Sequence, residues 1–99
     1  IYNLGKVKIG EKSAISLRTH ICSGTHDYTN PLLPLIKMPV EIGDQVWLCA
    51  DCFIGPGVSV GEGAVVGART VAIDDVKPWT VVAGNPARYI KRRVIREGR

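Results

Sequence analysis

Aliphatic residues recur every six positions along most of the chain. Ile9, Ile15 and Ile21 keep one phase, and Ile36, Ile42, Leu48, Ile54, Val60 and Val66 resume the beat in another. A helix repeats its apolar face every ~3.6 residues and a simple strand every ~2, so a period of six demands short strands joined by regular corners. Such a repeat predicts a solenoid, and its single interruption, after His26, marks where chemistry is expected.

With the aliphatic residue as position one, position two is Gly10, Gly43, Gly55, Gly61 and Gly67, with Ser16, Cys22, Lys37 and Cys49 elsewhere. Position five is Ser13, Thr19, Thr25, Val40, Val46, Cys52, Val58, Ala64 and Thr70, all small or β-branched. The expected arrangement points position one inward, lets glycine relieve the backbone at each turn, and fills the remaining room with position five. Three hexads make one triangular turn of about 18 residues, stacked on its neighbours at a rise of about 4.8 Å. Handedness does not follow from the period, because right-handed crossovers dominate parallel sheets.

Between Ile21 and Ile36 the beat fails, and 27–35 reads DYTNPLLPL. Two prolines and Asn30 make a poor strand and a good loop. Leu32, Leu33 and Leu35 would be costly in water, so the loop is expected to lie on another surface such as a neighbouring subunit. Lys77-Pro78-Trp79 is read as breaking the coil, Thr80–Ala83 as a last strand and Gly84-Asn85-Pro86 as a turn. From Pro86, the spacing of Tyr89, Ile90 and Val94 among basic residues predicts a short amphipathic helix capping the solenoid. The expected organisation is a β-helix over 1–85 and a basic helix or tail over 86–99. Ile1-Tyr2-Asn3-Leu4-Gly5 already reads as repeat, which suggests that N-terminal rungs precede it.

Charge and cysteines refine this picture. The chain carries a net +4, but residues 88–99 hold six cations against the single acid Glu97, leaving the other 87 residues at −1. The body is therefore not a nucleic-acid surface, and no apolar run approaches the ~18 residues of a membrane span. The cationic tail suits a phosphate-bearing ligand, an anionic surface or solvation. Three cysteines argue against a disulfide framework and for a reducing compartment, here the cytoplasm. Cys49 and Cys52 form a lone C-x-x-C within the repeat, read as small packed thiols.

The hexads, the segment PVEIGDQVWLCADCFIGPGVSVGEGAVVGA and the ending VVAGNPARYIKRR resemble the hexapeptide-repeat acyltransferases, such as the maltose, galactoside and serine acetyltransferases. SGTHDYTNPLLPLI is similar to the colanic-acid and other exopolysaccharide O-acetyltransferases. The resemblance implies an all-β, left-handed parallel β-helix and a homotrimer with sites between adjacent coils. It also implies acetyl-CoA as co-substrate, with no metal, and direct transfer to a sugar hydroxyl.

A base near neutrality suits acyl transfer to a hydroxyl, and histidine is the side chain that provides it. His26 is the candidate by its motif, while His20 has none; adjacent Asp27 is more simply a solvated loop carboxylate than an orienting group. By resemblance, Trp47 lies near the thioester and Ala50 and Ala68 lie on the pantetheine path. Their separation of 18 residues places the two alanines on one face of successive turns. Ile73 and Asp74 align where relatives carry Thr-Lys, and Asp74 cannot assist a phosphate as Lys would. Arg88 and Lys91 match the basic residues that meet the nucleotide, leaving Arg92, Arg93, Arg96 and Arg99 to solvation. Two rivals are a γ-class carbonic anhydrase, for which this chain has two histidines rather than three, and a non-catalytic β-helix.

Overall fold

The computed structural model describes residues 5–96. Thirteen strands form among the described residues, and the parallel ones are two to four residues long, as the six-residue beat requires. Three flat faces stack them in register. The first face holds β1 (Val7–Ile9), β6 (Val40–Ile42) and β9 (Ser59–Val60), extended by a bridge from Val60 to Val76. The second holds β2 (Ala14–Ile15), β7 (Trp47–Leu48), β10 (Val65–Val66), β12 (Thr80–Ala83) and β13 (Arg88–Arg92). The third holds β3 (His20–Ile21), β8 (Phe53–Ile54) and β11 (Val71–Ala72).

Position one lines up through the stack, as Ile9 with Ile42 and Val60, Ile15 with Leu48 and Val66, and Ile21 with Ile54 and Ala72. Together with position five (Val40, Val46, Cys52, Val58, Ala64, Thr70) these residues are the buried core. Ile9 and Ile15 are the exceptions, at 41% and 37% exposure, because no described turn covers them from above.

Two expectations about the backbone need correction. The left-handed conformation that turns each corner sits at position four, on Lys12, Arg18, Gln45, Asp51, Gly57, Gly63 and Arg69. Glycine at position two instead answers to crowding between turns: a Cβ on Gly61 would lie 2.6 Å from the Pro78 nitrogen. Pro78 therefore does not break the coil. Lys77-Pro78-Trp79 forms one more corner, Trp79 taking φ 58, and β12 continues the second face.

The interruption is an antiparallel hairpin, β4 (Gly24–His26) with β5 (Leu35–Lys37), projecting from the corner between the third and first faces. Ile36, expected to keep the beat, pairs with Thr25 in this hairpin and stands 40% exposed. The chain re-enters at Met38, whose N–H donates to the Ser23 carbonyl at 2.8 Å.

The expected C-terminal helix over 86–99 is not present among the described residues. β13 runs back antiparallel along β12 with a bulge between Val81 and Val82. A last coil strand leaves a full edge of peptide groups unpaired, and a returning strand satisfies them where a helix would not. Ile1–Leu4, like Glu97 and Arg99, lie outside the described residues.

Candidate active site

His26 ends β4, and its exposed ring is locked from one side. Nδ1 lies 2.8 Å from the Leu33 carbonyl oxygen across the hairpin. A carbonyl can only accept, so in the neutral ring Nδ1 carries the proton and Nε2 keeps a lone pair facing outward. Leu33 reaches this position because it adopts φ 48, closing a turn in which its N–H donates to the Asn30 carbonyl. Asp27 does not touch the imidazole. Its carboxylate accepts from the Thr29 N–H at 2.9 Å and from the Thr29 hydroxyl, and these bonds hold its pKa below the usual carboxylate value.

Trp47 opens β7 on the second face, 48% exposed, with its indole N–H donating to the Ser16 hydroxyl at 2.9 Å. Paired residues of neighbouring strands point to the same side of a sheet, so the register aligns Ala14, Trp47, Val65, Val81 and Lys91 in one outward row. Trp47 and Lys91 stand three strand spacings apart, about 14 Å. Arg88 pairs with Ala83 at the other end of β13.

Ala50 and Ala68 occupy the adjoining corner, between the second and third faces, and the Arg69 N–H donates to the Ala50 carbonyl at 3.0 Å. Their predicted stacking on successive turns is therefore present. The same corner carries Arg18, whose guanidinium binds the Asp51 carboxylate at 2.7 and 3.2 Å and helps hold that carboxyl below its usual pKa. Sequence reading missed this pair and Ser16, although Arg18 and Asp51 share position four.

Ile73 and Asp74 lie elsewhere, at the corner between the third and first faces. This corner is two residues shorter than its counterparts, since Val60 pairs with Val76 only 16 positions on. The Asp75 carboxylate bridges the gap by accepting the Ser59 N–H at 2.9 Å. Ile73 and Asp74 line a cavity of about 370 Å³ at the end of the coil, with Val76, Val82 and Tyr89 among its other walls.

The expected assignment of Arg93 to solvation is wrong. Its guanidinium donates to the Gln45 carbonyl at 2.7 Å and the Gly63 carbonyl at 3.0 Å, and it stacks over Trp79. Cys22, Cys49 and Cys52 are free thiols, and burial raises the pKa of Cys49 and Cys52. Among the described residues, no group of three or more His, Cys, Asp or Glu gathers as a metal set. No described helix is long and apolar enough to cross a membrane.

Within one chain the pieces are divided. Trp47, Ala50, Ala68 and Lys91 belong to the second face and its border with the third, whereas His26 projects from the opposite border of the third face.

Comparison with known proteins agrees with the fold. Residues 39–72 fit the family described as bacterial transferase hexapeptide (six repeats). The putative colanic acid biosynthesis acetyltransferase WcaF of Escherichia coli K12 is 39% identical over 95% of this chain and 52% of its own length. A maltose O-acetyltransferase from Clostridium difficile 630 superposes with a TM-score of 0.89 at 31% identity, over 96% of this chain and 52% of that one. A hexapeptide-repeat acetyltransferase from Vibrio cholerae, solved with acetyl coenzyme A, gives 0.84 at 33%, over 90% and 50%. The chain thus spans about half the length of each of these three relatives. Over nearly all of its own length it carries the left-handed parallel β-helix of the hexapeptide-repeat acetyltransferases and resembles them in sequence.

Proposed function

We propose that the protein transfers the acetyl group of acetyl-CoA to a hydroxyl of a sugar or exopolysaccharide unit, acting as a cytoplasmic homotrimer. The observation that carries this reading is the His26 lock, Nδ1 to the Leu33 carbonyl. With Nδ1–H fixed, Nε2 takes the proton of the acceptor hydroxyl while the oxygen attacks the thioester carbonyl. The C–S bond breaks, CoA leaves as the thiolate, and the imidazolium returns a proton to the sulfur. Neither Cys49 nor Cys52 is needed as a nucleophile.

Trp47 and the two alanines would hold the thioester and pantetheine, and Arg88 and Lys91 the nucleotide. Their shared face supports that path, because an extended thin ligand needs small side chains along it and cations at its phosphate end. Ile73 and Asp74 fit the role less well, since a carboxylate repels phosphate.

The division of His26 from Trp47 supports a site shared between copies. So do the exposed apolar residues of the hairpin, Tyr28, Leu32 and Leu33 among them. Acetyl-CoA supplied with a panel of glycosides to the complete protein tests the reading. His26→Ala is expected to lower turnover by about 10²–10⁴-fold with CoA affinity kept. Unchanged turnover would remove His26 from the mechanism, and thiol release with no acceptor would remove the sugar.

A further inference from the structure

Arg93 lies one residue beyond β13 and makes four separate contacts. Its N–H donates to the Trp79 carbonyl at 2.8 Å. Nη1 spans the Gln45 and Gly63 carbonyls, which sit at position four on successive turns of one corner. The guanidinium carbon stands 5.9 Å from the centre of the Trp79 ring. Trp79 in turn rests directly on Gly63, where a Cβ would run into the indole. Gly63, Trp79 and Arg93 therefore form a stack that fastens the returning strand across two turns.

β12 and β13 pair from Thr80 to Ala83 through their main chains. What the clip adds is a link between two particular strands. Gln45 lies two residues before Trp47, and Arg93 lies two residues after Lys91, so one guanidinium joins the strand bearing the indole to the strand bearing the cation.

We infer that Arg93 is a positioning residue for the nucleotide end of acetyl-CoA, acting through Lys91 and Arg88; this rests on the function proposed above. An outermost strand frays unless its free end is fixed, and β13 is exposed along its whole length. A cation already held in place costs less to order when the phosphate arrives. Nη1 of Arg93 is directed at two carbonyls and its guanidinium plane lies over a ring, so the role inferred for it runs through the placement of β13 and not through a ligand contact of its own.

The test uses two acetyl donors in the complete protein: acetyl-CoA, and S-acetylpantetheine, which has the same thioester without the nucleotide. In Arg93→Ala the KM for acetyl-CoA is expected to rise about tenfold, as loss of charge-assisted hydrogen bonds allows, with kcat within about twofold. The kcat/KM for S-acetylpantetheine should stay at the wild-type value. Arg93→Lys keeps the charge but loses the planar stack and some reach, and should fall between; it carries the test if the alanine variant does not fold.

Equal losses with both donors would mean a general structural role and would overturn the inference, as would wild-type kinetics in Arg93→Ala, or in Arg93→Lys if only that variant folds. Arg88→Ala and Lys91→Ala serve as controls. If neither raises the KM for acetyl-CoA, the nucleotide assignment under the proposed function fails, and the positioning role falls with it. If they do and Arg93→Ala does not, only the positioning role falls.

Discussion

Gln45 shows how much one backbone angle decides in this coil. It turns a corner at φ 55, a conformation that L-residues with unbranched side chains tolerate at some cost and β-branched ones scarcely reach. Gln45→Val should therefore cost about 1–2 kcal/mol in urea unfolding, while Gln45→Gly should cost nothing measurable. Position five was readable in the sequence because small or β-branched residues share a property that packing requires. Position four was not, because polar, unbranched residues and glycine, as in Lys12, Arg18, Gln45, Asp51 and Gly57, fit any exposed turn whatever its φ.

The same limit applied at the candidate base. The motif singled out His26, but its acceptor is a carbonyl belonging to Leu33, and main-chain partners leave no mark on side-chain identity. Asp27, the adjacent carboxylate, reads in the sequence as a solvated loop group, and its partner within the loop is Thr29. Because the folded-state pKa of Asp27 is depressed, its contribution to loop order is present above the ordinary carboxylate value and is lost as pH falls through the folded one. The Thr29 amide should thus keep its protection from hydrogen exchange throughout the ordinary carboxylate range and lose it only as the pH falls below that range. Asp27→Ala should remove that protection at all pH values, whereas Thr29→Ala takes away only the hydroxyl bond and should leave most of it.

Among elements, the contrast between β12 and β13 is instructive. Thr80–Ala83 was legible as a strand, since β-branched residues end in a glycine turn. Arg88–Arg92 was not, since Tyr89, Ile90 and Val94 satisfy a helical spacing as well as a bulged strand. The deciding factor was the unpaired edge of β12, which exists only once the coil is assembled. Spacing between turns has a similar logic. Gly61→Ala would push a methyl onto the Pro78 nitrogen, which is backbone and cannot move alone. A loss of about 1–3 kcal/mol in chemical denaturation is expected, the cost of overpacking.

On the scale of the molecule, the repeat announced the fold and its interruption announced the hairpin, yet neither could say that the Trp47 row lies on the second face while the hairpin leaves from the border of the third and first. That separation makes a strong prediction for the assembly. Mixing His26→Ala subunits with Trp47→Ala subunits should restore part of the activity that each lacks alone, because some interfaces then combine an intact histidine with an intact tryptophan. No recovery after verified subunit exchange would place both groups in one chain's own site. Leu32, at 88% exposure on the hairpin, offers a second handle, as Leu32→Asp should shift light scattering toward monomer.

The row from Trp47 through Val65 and Val81 to Lys91 also makes the protein a ruler. Each strand in it is one graduation of about 4.8 Å, set by hydrogen-bond spacing and not by any side chain. Adding one full turn between β7 and β12 would carry Lys91 one graduation farther from Trp47, and would also part the Arg93 guanidinium from the Gln45 carbonyl. If the proposed function holds, a donor arm of fixed length would then no longer reach both marks, and the length of its carrier would correspond to a number of turns.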